Sequence, residues 1–184
     1  MFRELLVQRV SAFCTLSSEQ IHQLEQHYEL MVRWNKTINL TRIESVEEAV
    51  DRHYAESLFL ASKLPDGPLR IADLGSGAGF PGFAIGVVRP DCHIALIESH
   101  KRKAVFLKEA TRALPNVTVV PRRAEDVTEV YDWVVSRAVS WEDLEHVVFK
   151  LAPNVALLCK TAPAAAKTII PIPVSRETSL LVIA

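Results

Sequence analysis

Residues 71–82, Ile-Ala-Asp-Leu-Gly-Ser-Gly-Ala-Gly-Phe-Pro-Gly, constrain the fold of this chain more than any other stretch. A short apolar run ends in a turn with glycine at three alternate positions, and an apolar helical segment follows. Glycine admits backbone conformations and close approaches that a side chain forbids, so a strand here hands over to a helix through a turn open to a ligand. Pro81 suits the first helical position, where a missing N–H costs nothing. Downstream, segments 69–74, 93–97, 117–120, 133–135 and 155–159 read as apolar strands, with 81–89, 100–114 and 141–148 helical between them. Unbroken apolar strands spaced by helices predict βαβ units and a buried parallel sheet. Segments 169–173 and 180–183 read as two closing strands joined by 174–179. The expectation is an α/β chain with a mostly parallel, doubly wound sheet.

The first third carries a different pattern. Ser17 and Gln20 have the spacing of a capping box, and Ile21, Leu24, Tyr28, Met31, Trp34 and Ile38 then form one apolar stripe at helical intervals. Ser45 with Glu48 predicts a second box, followed by Val46, Val50, Tyr54 and Leu58 at every fourth residue. Pro65, Gly67 and Pro68 stop that helix. Residues 1–68 are therefore expected as a helical extension packed on a 69–184 core, the two making one globular unit.

The formal net charge of −1 excludes a wholesale polyanion binder, but charge is unevenly placed. Between 101 and 123 the seven cations Lys101, Arg102, Lys103, Lys108, Arg112, Arg122 and Arg123 face only Glu109, a pattern that attracts phosphates or simply solvates a helix. Cys14, Cys92 and Cys159 lie too far apart for a CxxC pair, and the six histidines show no HxxxH or HExxH spacing, so no metal is expected. No apolar stretch approaches the ~18 residues of a membrane span. The opening Met-Phe-Arg-Glu lacks the features of a signal peptide, and the expected location is the cytoplasm.

Gly77-Ala78-Gly79-Phe80-Pro81-Gly82 fits G-x-G-x-x-G, the dinucleotide fingerprint. Two features favour a different ligand. Asp73 ends the strand just before the loop, where a carboxylate repels a pyrophosphate but suits the ammonium of S-adenosylmethionine. Pro81 removes a backbone donor that a pyrophosphate seeks at a helix start. Glu98, with Ser99 beside it, ends the next strand and is placed to accept ribose hydroxyls with either cofactor. Glu125 or Asp126, after the third strand, is placed to accept the adenine amino group. The loop glycines Gly75, Gly77 and Gly79 complete the expected cofactor contacts.

Residues 73–82 as a whole resemble the signature loop of the RsmG (GidB) family of bacterial 16S ribosomal RNA guanine-N7 methyltransferases. Trp34-Asn35-Lys36-Thr37-Ile38-Asn39-Leu40-Thr41, Arg52-His53 with Glu56-Ser57-Leu58, Arg123-Ala124-Glu125 and Ser136-Arg137-Ala138 resemble further motifs of that family in the same order. The resemblance implies a Rossmann-like class I methyltransferase fold. It implies S-adenosylmethionine contacts at Gly75, Phe80, Glu98, Ala124, Glu125 and Arg137, and an RNA-facing side at Arg123, Arg137 and Lys160. Two departures stand out: Thr161 replaces the family's usual glycine after Lys160, and 161–167 is too short for the usual helix between the last strands.

Guanine N7 carries an in-plane lone pair and no proton, so its methylation calls for no general base and catalysis becomes positioning. Arg137 and Lys160 are the expected catalytic residues, orienting the base or its phosphate. Arg123, Arg102, Lys103 and Asn39 are the expected RNA contacts. For Arg137 the plain alternative is a structural ion pair, for instance with Glu125. The expected partner is 16S ribosomal RNA or the small ribosomal subunit, bound by a monomer without membrane or metal. Two other functions fit the pattern: a nicotinamide-dependent oxidoreductase, and a non-catalytic rRNA-binding module of the same fold.

Overall fold

The structure, a computed structural model, describes residues 1–43, 45–175 and 177–183. Its strands are β1 (Arg70–Leu74), β2 (His93–Ile97), β3 (Val117–Val120), β4 (Trp133–Arg137), β5 (Asn154–Cys159), β6 (Thr168–Pro171) and β7 (Ser179–Ile183). They form one sheet in the order β3-β2-β1-β4-β5-β7-β6. The first five strands are parallel, with Ala72 aligned between Ala95 and Val134. β7 runs antiparallel between β5 and β6. The strand order reverses between β1 and β4, the switch point beside which doubly wound sheets bind ligands.

Helices α1 (Phe2–Val10), α2 (Ser18–Asn35), α3 (Val46–Ala49) and α4 (Glu56–Lys63) precede the sheet, and α5 (Gly82–Val88), α6 (Lys101–Ala110) and α7 (Trp141–Leu151) connect its strands. Alternate residues of each strand enter opposite cores. Ile71, Leu96, Val135 and Leu158 pack under the N-terminal helices with α5 and α6. Ala72, Ile97, Val134 and Leu157 pack against α7. The first core is shared: Leu6, Leu24, Tyr54 and Leu58 meet Phe83, Ile85, Phe106 and Leu180 there. Burying one such side chain contributes ~1.5–3 kcal/mol, so the extension and the sheet stabilise one another.

Three local features differ from the sequence expectation. α1 is a separate helix that the pattern did not single out; it buries Phe2, Leu6 and Val10. α5 begins at Gly82, with Pro81 at the N-cap position. Between α3 and α4 the helix continues as a π-helical turn, Val50–Ala55. The apolar spacing of four explains that turn: Val46 to Leu58 spans 12 residues in three turns, against ~10.8 for an α-helix. A π turn absorbs the excess and keeps Val50, Tyr54 and Leu58 fully buried. The Ser17 box closes at both ends, with Gln20 N–H donating to Ser17 Oγ at 3.2 Å and Ser17 N–H to Gln20 Oε1 at 2.9 Å. The Ser45 box closes at one end only: Ser45 Oγ takes the Glu48 N–H, but the Glu48 carboxylate takes Arg52 at 2.7 Å. Segment 161–167 contains a turn and no helix.

Candidate active site

The glycine turn is strapped to the end of β2. Gly75 and Ser76 N–H donate to Ile97 O at 3.0 and 3.2 Å, and Gly77 N–H donates to Glu98 Oε2 at 2.9 Å. Glu98 Oε1 accepts His100 N–H at 2.7 Å, so one carboxylate ties the turn to the start of α6. A carboxylate offers about four acceptor positions, and two remain for a ligand. Gly75 has φ +68, and a Cβ there would lie 2.8 Å from Val139 Cγ2, so the close approach of the turn to the segment after β4 needs glycine.

A cleft of about 180 Å³ opens over the carboxyl ends of β1 to β4. It brings together Gly75, Glu98, Ser99, Arg123, Ala124 and Glu125 from the expected set. Leu74, Ile97, Val139, Leu144 and Val147 supply apolar walls, and Asp143 of α7 a further carboxylate that the sequence did not single out. An apolar slot beside an acidic strand end suits a nucleoside: ring between the walls, ribose on the acid.

Three residues of the expected set, all in the turn segment, face the core, and Arg137 also lies outside the cleft lining. Asp73 is fully buried under the turn, where its Oδ2 accepts Gly82 N–H at 2.9 Å and its Oδ1 has no partner among the described residues. Burial pushes its carboxyl up to about 7, against the Gly82 and Ser76 hydrogen bonds that favour the charged form. Phe80 is 4% exposed and stacks on His53 with ring centroids 4.6 Å apart. Gly79 turns its α-carbon to His27, Phe83 and Leu107 in the core. The reason is common to all three: the turn doubles back on its own strand, so its beginning and its end face the core.

The start of α5 is closed to a pyrophosphate. Pro81 has no N–H, Gly82 gives its own to Asp73, and Phe83 N–H donates to Gly79 O at 2.7 Å. The dinucleotide reading needs those donors, and the geometry removes its basis.

His27, which the sequence gave no role, holds the turn from α2. Its Nε2–H donates to Ala78 O at 2.9 Å, which leaves Nδ1 to accept the Tyr54 hydroxyl at 2.8 Å. Burial drives its pKa down to about 3, so the ring is neutral. It stacks on Phe83 at 4.0 Å. The signal missed was its position: His27 lies on the buried face of α2 with Leu24, Leu30 and Met31.

Beyond the cleft, Arg137 ends β4 with its Nε 3.4 Å from Glu56 Oε2. The ion-pair partner is Glu56; Glu125 faces His146 instead, at 3.4 Å. Ala138 follows in a left-handed conformation, φ 61, that turns the chain away from the sheet. Lys160 lies just past β5, exposed, with Nζ 2.5 Å from Glu177. Neither lines the cleft itself; both stand on adjacent strand ends beside it. His53 Nε2 meets Thr41 Oγ1 at 2.8 Å, and Asn35 fixes that threonine by accepting the Leu40 and Thr41 N–H groups at 2.9 and 3.0 Å. Burial and then the Arg137 charge keep the His53 pKa well below its ordinary value. Asn39 is exposed on the loop after α2. Arg102 and Lys103 lie in the first turn of α6, where no acid offsets them. Cations there add to the positive end of the helix dipole.

The chain is similar to known proteins both in sequence and in fold. The chain is 41% identical over 145 residues to the ribosomal RNA small subunit methyltransferase G of Roseiflexus castenholzii, covering 74% of this chain and 62% of that protein. It is 39% identical over 129 residues to the enzyme of the same name from Chromobacterium violaceum, covering 68% and 61%. The chain thus spans about three fifths of the length of these curated relatives. Among solved structures, Aeropyrum pernix fibrillarin, crystallised with natively bound S-adenosyl-L-methionine, matches at a TM-score of 0.56 and 14% identity, over 73% of this chain and 75% of that one. At that identity the likeness shows the fold, a Rossmann-like methyltransferase sheet. Residues 20–157 match the family described as GidB, rRNA small subunit methyltransferase G, and the chain belongs to that family.

Proposed function

We propose that this chain transfers the methyl group of S-adenosylmethionine to N7 of a guanine in the 16S RNA of the small ribosomal subunit. The observation that carries the reading is the cleft at the β1/β4 switch point, with Gly75 and Glu98 on its floor and Ala124 and Glu125 on its wall. The names of the relatives, ribosomal RNA small subunit methyltransferase G, support the acceptor. The natively bound ligand of fibrillarin supports the cofactor.

The residues present fit that cofactor. Glu98 has acceptor positions left for two ribose hydroxyls, and the apolar walls suit an adenine ring. When bound, the cofactor supplies a methyl group activated on a sulfonium. The chain supplies position. Glu98 and the Gly75 turn hold the nucleoside end, while Arg137 and Lys160 orient the acceptor base or its phosphate from the next strand ends. Arg123, Arg102, Lys103 and Asn39 meet the RNA backbone around them. No side chain needs to remove a proton, because N7 has none. Ribosomal RNA as substrate puts the reaction in the cytoplasm, and a cleft built from one chain works as a monomer.

Incubation with labelled S-adenosylmethionine, small subunits lacking the modification and free 16S RNA, followed by nucleoside analysis, tests the reading. Labelled 7-methylguanosine is the expected product. Cofactor binding with no transfer to either RNA would overturn the acceptor, and transfer to another nucleoside would overturn the chemistry.

A further inference from the structure

Resting on that reading, we infer that His27 and Tyr54, both in the helical extension, are positioning residues for S-adenosylmethionine: the Tyr54 hydroxyl selects the tautomer of His27, and that tautomer locks the cofactor turn. The turn needs a lock from outside itself. Gly75, Gly77 and Gly79 hold φ of 68°, 57° and 98°, and glycine leaves the backbone many alternatives of similar energy. On the sheet side, Ile97 O and Glu98 Oε2 take the N–H groups of Gly75, Ser76 and Gly77. On the helical side, His27 Nε2 lies 2.9 Å from Ala78 O. Only the Gly77 and Ala78 dihedrals separate that carbonyl from the N–H that Glu98 holds, so the two holds fix one conformation between them.

Chemistry decides the state of the ring. A carbonyl oxygen can only accept, so Nε2 carries a proton. A neutral imidazole has one, so Nδ1 accepts, and its donor is the Tyr54 hydroxyl at 2.8 Å. His27 is 2% exposed and Tyr54 is fully buried, so bulk water reaches neither partner. Burial keeps the ring neutral, with its pKa at about 3, and the tautomer is therefore its one variable near neutral pH. Phe83, stacked at 4.0 Å, and Phe80 and Phe106, edge-on at 5.2 and 5.7 Å, fix the ring plane. The hydroxyl is placed as firmly: Tyr54 lies in the π-helical turn, edge-on to Phe2 and Phe80 at 5.0 and 4.9 Å. Contact with the glycine turn is direct, since a Cβ on Gly79 would lie 3.3 Å from His27 Nε2. Without the hydroxyl the proton is free to move to Nδ1, which sets a bare Nε2 lone pair against Ala78 O. The turn then relaxes away from the ring, and Gly75 and Glu98 lose the arrangement that the cofactor meets.

Calorimetric titration with S-adenosylmethionine and nitrogen NMR of the histidine rings test the inference on wild type, Tyr54→Phe, His27→Gln, their double variant and Leu24→Ala. In wild type the His27 ring should be neutral with its proton on Nε2. Tyr54→Phe removes one oxygen and should weaken cofactor binding about 5- to 10-fold, the worth of one hydrogen bond. Its KM for the cofactor should rise to match, while kcat at saturating cofactor stays within about twofold. His27→Gln keeps an N–H donor with no tautomer to select, so it should bind within about threefold of wild type, and adding Tyr54→Phe should cost nothing more. Leu24→Ala loosens the same buried face of α2 without removing a hydrogen bond, so it should lower Tm and leave affinity unchanged. A charged ring or a proton on Nδ1 in wild type overturns the inference, as does unchanged affinity in Tyr54→Phe. Weak binding by His27→Gln, or a further loss in the double variant, breaks the link through the Ala78 donor and overturns it too. A loss in Leu24→Ala as large as in Tyr54→Phe assigns the effect to general stability, with the same consequence. Failure of wild type to bind S-adenosylmethionine overturns the functional reading, and this inference with it.

Discussion

At Gly82 helix propensity and packing pull in opposite directions. Alanine in place of glycine gains up to ~1 kcal/mol within a helix. A Cβ at this position, however, would press into Leu96 and lie 2.7 Å from Asp73 Oδ2, between a helix and the strand beneath it. Overpacking of that kind costs ~1–3 kcal/mol, so Gly82→Ala should be destabilised by about 1–2 kcal/mol and show a lower Tm in a thermal melt. Asp73 and His27 oppose one another in pH dependence. The Asp73 carboxyl, raised to about 7, contributes stability below about pH 4 that is lost as pH rises to 7. His27, lowered to about 3, contributes stability above its ordinary pKa of 6.5 that is lost as pH falls towards 3. Each effect is on the order of 4 kcal/mol when fully expressed. His53 acts in the same direction as His27, so acidification from pH 7 to 4 should destabilise the wild type with Asp73 as a partial counterweight. Asp73→Asn can still accept Gly82 N–H but removes the counterweight. Urea midpoints at pH 7.5 and 5 should therefore drop more steeply in the variant; an identical drop would mean that Asp73 does not change its protonation on folding.

Between elements, the loop after α2 transmits position from one helix to the next. Asn35 makes three hydrogen bonds to the backbone of Leu40 and Thr41, and Thr41 holds His53, whose ring lies on Phe80 of the glycine turn. Asn35→Ala leaves two backbone donors without that partner, at about 1–3 kcal/mol. Hydrogen exchange should show the Leu40 and Thr41 amides losing protection first, with β1 unaffected. Protection lost equally throughout would mean that Asn35 supports global stability alone. The motif around Trp34 to Thr41 thus acts through hydrogen bonds to the turn, while Asn39 is exposed on the same loop.

Across the whole molecule, the N-terminal helices and the sheet share one core. Expressed alone, residues 69–184 would leave Phe83, Ile85 and Phe106 without Leu24, Tyr54 and Leu58. Such a fragment should show no cooperative unfolding transition and should bind a hydrophobic dye; a sharp transition would make the extension a separable unit. The uneven charge also acts at this scale. If Arg102 and Lys103 each meet an RNA phosphate, changing either to alanine should reduce the salt slope of 16S RNA affinity by about 0.7–1 and leave cofactor affinity unchanged. Fluorescence anisotropy across a salt series reads the first, calorimetry the second.

Local pattern was enough to locate the strands of the parallel sheet, the Ser17 box, the glycine turn and Glu98, because each depends on short-range periodicity or on a turn that only certain residues permit. The π turn also left a trace, the fourfold spacing from Val46 to Leu58. Contacts across long separations left none. Nothing near His27 in sequence reveals that Ala78 needs a donor, and nothing near Arg137 reveals that Glu56, 81 residues away, supplies its carboxylate. The direction in which each turn residue points was likewise hidden: Asp73, Gly79 and Phe80 share a motif with Gly75, yet they face the core while Gly75 faces the cleft. Sequence determined which elements form and where the chain must turn; only the packing of α2, α4 and α5 against the sheet decided which polar atoms were buried, which were paired and which were left for a ligand.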